Sequence, residues 1–549
     1  MALREKVIAC AAAALLALAA HPGPGGAAAP GPGAPTLEAA ALRLAVPATQ
    51  EAAIFALQQM ADPAVEPLLR ALKDGALYLL TDRVTVLGDD GALKDLRGQP
   101  ILNAAGQPAA PAEGQEAITL EEAHFGLVQR ALQRLEIFGP DRDARKAVAF
   151  TLGNARDPAA IPLLERAAGR ETDPEVRAVL GEALATLRLQ APNPAERAAA
   201  AEALGRLGSE AALPQLRALR DGETDAAVQN AARRAVRRIE EFLLVRNLVG
   251  YLFNGVSLGA VLLIMSLGLA ITFGLMGIIN MAHGEMLMLG SYTAYVVQEL
   301  FAARLSSHQD YFFFVALPLS FAVAGAVGLA LEAGILRLLY GRPLETLIVT
   351  WGIGMIFQQA ARLYLGDQTS VNSPTWFRGG VEVLRGLIFP YSRIFIVALA
   401  AACLAGTALL LHRTTVGLNV RAAMQNRGMA ACLGVSTRRI DALTFVLGTG
   451  LAGVAGCALS LIGTVDPEVG KTYIVDAFMV VVLGGVGKLL GAVVASFGIG
   501  LSNKILEPLI GGTAGAIYAK VAILGIVIWF LQRKPTGLFQ AKGRAAEAA

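Results

Sequence analysis

From Leu248 onward the chain returns repeatedly to apolar runs of about 18 or more residues with few charges, the length a helix needs to cross the hydrocarbon layer of a bilayer. Nothing else constrains the fold as strongly. In lipid every backbone N–H and C=O must be satisfied internally, so such runs fold as packed helices. Spans are expected near 250–272, 278–299, 311–337, 344–364, 392–412, 441–463 and 514–532, with a broken stretch over 475–503. Before Leu248 the chain is Ala-rich and carries Arg and Glu throughout, the pattern of a soluble domain. The overall 55% apolar and 17% charged content is therefore an average over two unlike halves. A net charge of +3 is too small to argue for a nucleic-acid partner. Cys10 lies in the leader and Cys403, Cys432 and Cys457 in or beside the spans, which gives no disulfide framework.

Residues 1–20 carry Arg4 and Lys6, then an apolar core, then a small-x-small site at Ala17-Leu18-Ala19. This reads as a secretory signal peptide, followed by a Pro/Gly-rich linker at 21–35. Residues 36–240 repeat themselves. DPAVEPLL at 62–69 returns as DPAAIPLL at 157–164, and Arg145, Leu152, Gly153 and Pro162 return as Arg197, Leu204, Gly205 and Pro214. Helical spacing of Ala and Leu, a Gly stop and a Pro near the next helix start describe stacked helix pairs. The pattern resembles HEAT-like repeats. A DDG turn between strand-like pieces predicts a hairpin insertion near 80–119.

Basic residues orient the spans. Arg337 and Arg342, then Arg413, Arg421, Arg427, Arg438 and Arg439, then Arg533, Lys534, Lys542 and Arg544 mark three segments for the cytoplasmic side, the last being the tail 534–549. The segments near 300–310, 365–391 and 464–474 then face outside, and 475–503 enters and returns on one face. Arg233, Arg234, Arg237, Arg238 and Arg246 precede the first span on the outer side, against this rule.

One membrane stretch carries polar groups. In SLGLAITFGLMGIINMAHGEMLMLGSY, Ser266 to Tyr292, the residues Asn280, His283 and Glu285 arrive together among Gly274, Gly277, Gly284 and Gly290. Glycine permits a break or close helix approach, and buried polar groups at that depth line protein or a cavity. The blander reading is that His283 and Glu285 cap a helix or bond each other. INMAHGEMLMLGSY resembles the motif of the branched-chain amino acid and urea type permeases, the membrane subunits of ATP-driven importers. A second stretch, RTTVGLNVRAAMQNRGMAACLGVSTRRI at 413–440, is basic and amphipathic, with Ala430 and Gly434 four apart on one helix face. It is similar to the cytoplasmic coupling loop of such permeases, although the leading acidic residue of the broader motif is not evident. GGVGKLLG at 484–491 is not a phosphate-binding loop, since Val482 and Leu489 occupy positions that require Gly and Ser/Thr. No Cys/His spacing suggests a metal and no Ser/His/Asp set suggests hydrolysis. Gly448, Gly450, Gly453 and Gly456, with Gly491 and Ala495, read as helix-packing seams.

The expected fold is all-α, a polytopic helical permease at 248–533 behind a soluble helical-repeat domain. The resemblance implies no enzyme and no cofactor, but a transport subunit with a second homologous permease, two cytoplasmic ATPase subunits and a periplasmic binding protein as partners. It places the chain in the bacterial inner membrane with the repeat domain in the periplasm. Asn280, His283, Gly284 and Glu285, with Gly484, Gly485 and Gly487, are expected at the path or gate, and Arg421, Ala430 and Gly434 at the ATPase contact. The repeat extension leans towards urea, since it resembles the urea-type subunits; the alternative substrate is a branched-chain amino acid. An ATP-independent channel or carrier and a membrane-anchored scaffold are the rival classes.

Overall fold

The computed structural model describes residues 36–539, except positions 59, 61, 63, 81–82, 89–90, 104–106, 112–114, 116, 156, 278–279, 341 and 513. The expected signal peptide, the linker and residues 540–549 of the expected tail lie outside the described residues. The chain divides into two units, one ending at Glu241 and the other beginning at Phe242.

The first unit opens with α1 (Leu37–Arg43), α2 (Gln50–Gln58) and α3 (Val65–Lys73). A three-stranded antiparallel sheet follows, β1 (Leu77–Leu80), β2 (Arg83–Leu87) and β3 (Leu93–Lys94), in the order β1-β2-β3. Then come α4 (Phe125–Leu135), α5 (Arg142–Asn154), α6 (Ile161–Arg170), α7 (Pro174–Arg188), α8 (Pro194–Leu207) and α9 (Leu213–Gly222). The next helix, α10 (Ala226–Met276), begins in this unit and ends in the other. Helix starts follow from side-chain caps with proline in the first turn: Asp173 accepts the N–H groups of Glu175 and Val176, and Asn193 that of Ala195.

The sequence repeat is a structural repeat. Arg145 donates to Glu171 at 2.8 Å and to the carbonyls of Gly139 and Pro140 at 2.9 and 3.0 Å. Arg197 repeats this with Glu223 at 3.0 Å and the carbonyls of Ala191 and Pro192 at 3.0 and 2.9 Å. Gly153 lies on Ala183 and Gly205 on Ala235; a Cβ on either glycine would come within 2.8 Å of the facing Cα.

The second unit contains α11 (His283–Arg304), α12 (Phe312–Gly334), α13 (Pro343–Leu365), the hairpin β4 (Gly380–Leu384) and β5 (Leu387–Pro390), and α14 (Tyr391–Arg413). The short α15 (Thr415–Gln425) and α16 (Arg427–Cys432) precede α17 (Thr437–Leu459), α18 (Val469–Gly484), α19 (Leu489–Ile510) and α20 (Gly515–Arg533). Every expected span has its helix. Among the described residues six helices are long and apolar enough to cross a membrane: Ala226–Met276, Ser306–Gly334, Tyr391–Arg413, Thr437–Leu459, Leu489–Ile510 and Gly515–Arg533. Helices α11 and α13 are as long but more polar. The expected broken stretch 475–503 is a pair, α18 and α19, joined at 485–488. The hairpin β4–β5 within the 365–391 segment was not foreseen.

Glycines set how closely the helices pack. Gly268 of α10 lies on Gly448 of α17, Gly290 of α11 on Gly453, Gly456 on the Leu287 carbonyl, and Gly491 on Gly484. On the other side of α17, Gly328 of α12 meets Thr449, and Gly453 meets Ser320 and Ala324. At Gly448, Gly453, Gly456 and Gly491 the expected seams are backbone contacts, whereas Gly450 packs on the Phe321 ring. The connecting segments sort into two groups. At one end Gly274 and Met424 meet Gly487, and the Leu538 N–H donates to the Leu483 carbonyl at 2.8 Å. At the other, Phe253 stacks on Phe389, Gln298 accepts from the Asn372 N–H, Thr369 bridges Val465, and Arg362 reaches Glu468.

Two outcomes follow from this packing. A Gly453→Val substitution overpacks a backbone contact and is expected to cost about 3 kcal/mol, read as a lower thermal unfolding temperature in detergent. In the repeat unit, the N–H groups of Asp225 and Thr224, with Arg197, hold the Glu223 carboxyl below the usual carboxylate range. At Glu171 desolvation opposes the same shift, and the Asp173 N–H and Arg145 outweigh it. A depressed folded value stabilises above the ordinary carboxylate value of about 4.3 and the benefit is lost as pH falls through it. Circular-dichroism melts should show the helical repeat losing stability between about pH 5 and 3, less steeply in Arg197→Gln.

Candidate functional site

Helix α10 stops at Met276 because Gly277 adopts φ +63°, a left-handed conformation that ends helices at little steric cost. The chain then re-enters the bundle, and α11 starts at His283 among buried neighbours. Asn280, 4% exposed, steers the entry: its Oδ1 accepts the Ala282 N–H at 3.1 Å. The Met281 N–H donates to the Thr350 hydroxyl of α13 at 3.1 Å. His283 is fully buried, and its Nε2 donates to the Met265 carbonyl of α10 at 3.2 Å, while Nδ1 meets no hydrogen-bond partner among the described residues.

Glu285, 4% exposed, accepts the Gln358 side-chain N–H on Oε1 at 2.7 Å, and its Oε2 has no partner among the described residues. Gly354, one turn before Gln358, makes room for this carboxyl: a Cβ there would lie 3.3 Å from Glu285 Cγ. Gly284 packs on Gly470 of α18, where a Cβ would fall 2.8 Å from the Gly470 oxygen. The imidazole and the carboxyl thus bond to different helices and not to each other. The result is a buried polar cluster in which a Glu285 oxygen and a His283 ring nitrogen have no partner among the described residues, a set suited to a ligand with N–H donors.

Gly484, Gly485 and Gly487 do not join this group. Gly485 and Gly487 have φ +95° and +74° and form the tight connection from α18 to α19. Gly487 meets Gly274 and Met424 rather than Glu285. They sit at the far end of α18 from Gly470, fourteen residues or roughly 21 Å along the helix, apart from the cluster around Glu285.

The geometry of 413–440 also corrects an expectation. Ala430 and Gly434 do not share a helix face, because α16 ends at Cys432. Ala430 is buried in a cluster with Ile271, Leu275, Leu411, Val420 and Ile440 of its own chain. Gly434, exposed with φ +87°, closes the helix: its N–H reaches the Ala431 carbonyl and that of Val435 reaches Ala430, each at 3.0 Å. The outward face presents Met429, Leu433 and Leu418, 60%, 79% and 58% exposed, beside the exposed Arg421. Sequence reasoning missed Met429 and Leu433, although their spacing of four was visible, and missed Thr350 and Gln358. The only signal for Gln358 was an amide inside the apolar run of α13.

A polytopic helical bundle with buried polar groups at a helix break is a membrane transport protein in class. Residues 251–531 match the family described as branched-chain amino acid transport system / permease component, and the chain belongs to that family. Residues 49–74, 144–169 and 196–221 match the PBS lyase HEAT-like repeat. The high-affinity branched-chain amino acid transport system permease protein BraD of Pseudomonas aeruginosa is 31% identical over 293 residues, 52% of this chain and 94% of that protein. LivH of Escherichia coli K12, a permease protein of the same description, is 30% identical over 295 residues, 52% and 94% of the two chains. LivM of the same organism is 26% identical over 312 residues, 51% and 68%. No solved structure matches the chain. The chain is a multi-pass membrane protein of the inner membrane, and the relatives are permease proteins rather than enzymes.

The Glu285–Gln358 contact has a measurable signature. Losing one partner leaves a buried polar group bare and costs about 1–3 kcal/mol, whereas losing both is milder. Gln358→Leu alone should lower the unfolding temperature in detergent more than the double variant with Glu285→Leu.

Proposed function

We propose that this chain is the membrane-spanning permease subunit of an ATP-driven importer, carrying a small nitrogen-bearing solute inward. The observation that carries this reading is the buried pair of Glu285 and Gln358 beside the helix end at Met276–Gly277, within the segment shared with the permease relatives. An open carboxylate oxygen accepts N–H donors, which both an amino acid's ammonium group and a urea amide supply. The relatives' names favour a branched-chain amino acid as the solute. Urea is the second reading, supported by the repeat unit at 36–240, which lies outside the 251–531 match.

Asn280, His283, Gly284 and Glu285 line or gate the path, with the Gly484–Gly487 connection serving as a hinge at the other end of α18. Four partners complete the importer: a second, homologous permease subunit, two cytoplasmic ATPase subunits and a periplasmic binding protein. Likeness to both LivH and LivM of one organism supports pairing with a second permease. The exposed Met429, Leu433 and Arg421 surface, ordered by Ala430 and Gly434, supports docking of an ATPase. The basic segments fall at this cytoplasmic end, and the repeat unit lies in the periplasm behind a signal peptide.

The test is uptake into proteoliposomes holding the full complex. Labelled leucine should enter only with ATP, the ATPases and the binding protein present, and unlabelled urea should not compete. Uptake of labelled urea under the same conditions, with no leucine uptake, would establish the second reading. Uptake by this chain alone would refute ATP-driven import in favour of a channel or carrier.

A further inference from the structure

We propose that Arg427 is the positioning residue that ties the exposed helix α16 to the core of the bundle, so that α16 moves only together with α17. Arg427 is the first residue of α16. Its guanidinium grips both oxygens of Asp441 on α17, with Nη1 to Oδ1 at 3.1 Å and Nη2 on Oδ2. Asp441 is 1% exposed. The same guanidinium lies over the Tyr340 ring, 5.3 Å from its centroid, and the Tyr340 hydroxyl donates to Glu332 of α12 at 2.7 Å. Glu332 is 3% exposed. Two buried carboxyls, on the two helices that share the glycine seam at Gly328 and Gly453, are thus reached by one arginine and one tyrosine from the segments outside the seam.

A buried ion pair contributes little net stability, since desolvation offsets attraction, but breaking one side leaves an uncompensated charge. A two-pronged arginine contact also fixes direction as well as distance. The arrangement therefore serves geometry. A displacement of α16 pulls the start of α17, and α17 touches the site helices through backbone: Gly448 on Gly268 and Thr272, Gly456 on Leu287, two residues from Glu285. Packed glycine contacts leave no slack to absorb the motion. Arg427 acts through Asp441 and contacts no solute. This inference rests on the reading of the 413–440 segment as the ATPase contact.

The experiment uses the full complex in proteoliposomes, with labelled leucine and labelled urea as probes and ATP hydrolysis measured in the same vesicles. Arg427→Ala and Asp441→Asn should each lower solute moved per ATP by about tenfold, while the ATPases co-purify as with the unaltered chain. The exchanged pair, Arg427→Asp with Asp441→Arg, should recover most of the ratio, since it re-forms the contact between these two residues. If a single variant fails to insert, Arg427→Lys keeps the charge, loses the paired donors and should cost about threefold. An unchanged ratio in any inserted single variant, or an exchanged pair no better than the singles, overturns the inference and leaves the proposed function standing. An unaltered complex that moves neither probe with ATP refutes the proposed function, and this inference with it.

Discussion

Helix α11 carries an imidazole and a carboxyl at its start, and a helix so furnished cannot face lipid. Burying it requires neighbours close enough to supply partners and exclude bilayer, and the glycines supply that closeness. Gly290 against Gly453, Gly456 against Leu287 and Gly284 against Gly470 bring backbone to backbone around α11. Between helices in a membrane there is little hydrophobic gain, so contact area and hydrogen bonds carry association. Here Ser320 adds a bond to the Gly290 carbonyl at 3.0 Å within the seam. Without these approaches the Glu285–Gln358 bond would have no dry setting.

The same seam makes α17 the central mechanical member of the second unit. One face meets α12, another α10 and α11, and near its start Asp441 holds Arg427. The helix therefore links the α10 end at Met276–Gly277 with the short capped helices of the 413–440 segment. In the repeat unit a different economy holds. Capping aspartates and asparagine, paired Arg–Glu contacts and single glycine–alanine approaches recur with each unit, as expected where each repeat contacts its neighbours.

Much of the architecture was legible in the residues. The apolar runs marked each membrane helix, and the recurrence of Arg145 as Arg197 and Gly153 as Gly205 marked the repeat. The basic segments were assigned to one side, and the contacts of Met424 with Gly487, Arg427 with Tyr340 and Leu538 with Leu483 bring their described parts to one end. The site was legible only in half. Asn280, His283 and Glu285 stood out because polar groups are rare in such runs, but their partners Thr350 and Gln358 come from α13, about 70 positions away. Ala430 and Gly434 were read as one face because four-residue spacing holds only while a helix continues, and α16 ends two residues before Gly434.

By itself the sequence determined which segments are long and apolar enough to span a membrane, roughly where helices lie, and which residues are polar within those runs, because these depend on local length, capping and hydration. Only the tertiary structure decided that Glu285 answers to Gln358, that Gly487 lies with Gly274 rather than with the carboxyl, and that Arg427 reaches Asp441. Those pairings join residues from different helices, and they are set by how closely the glycine-lined backbones approach, a distance that no single segment encodes.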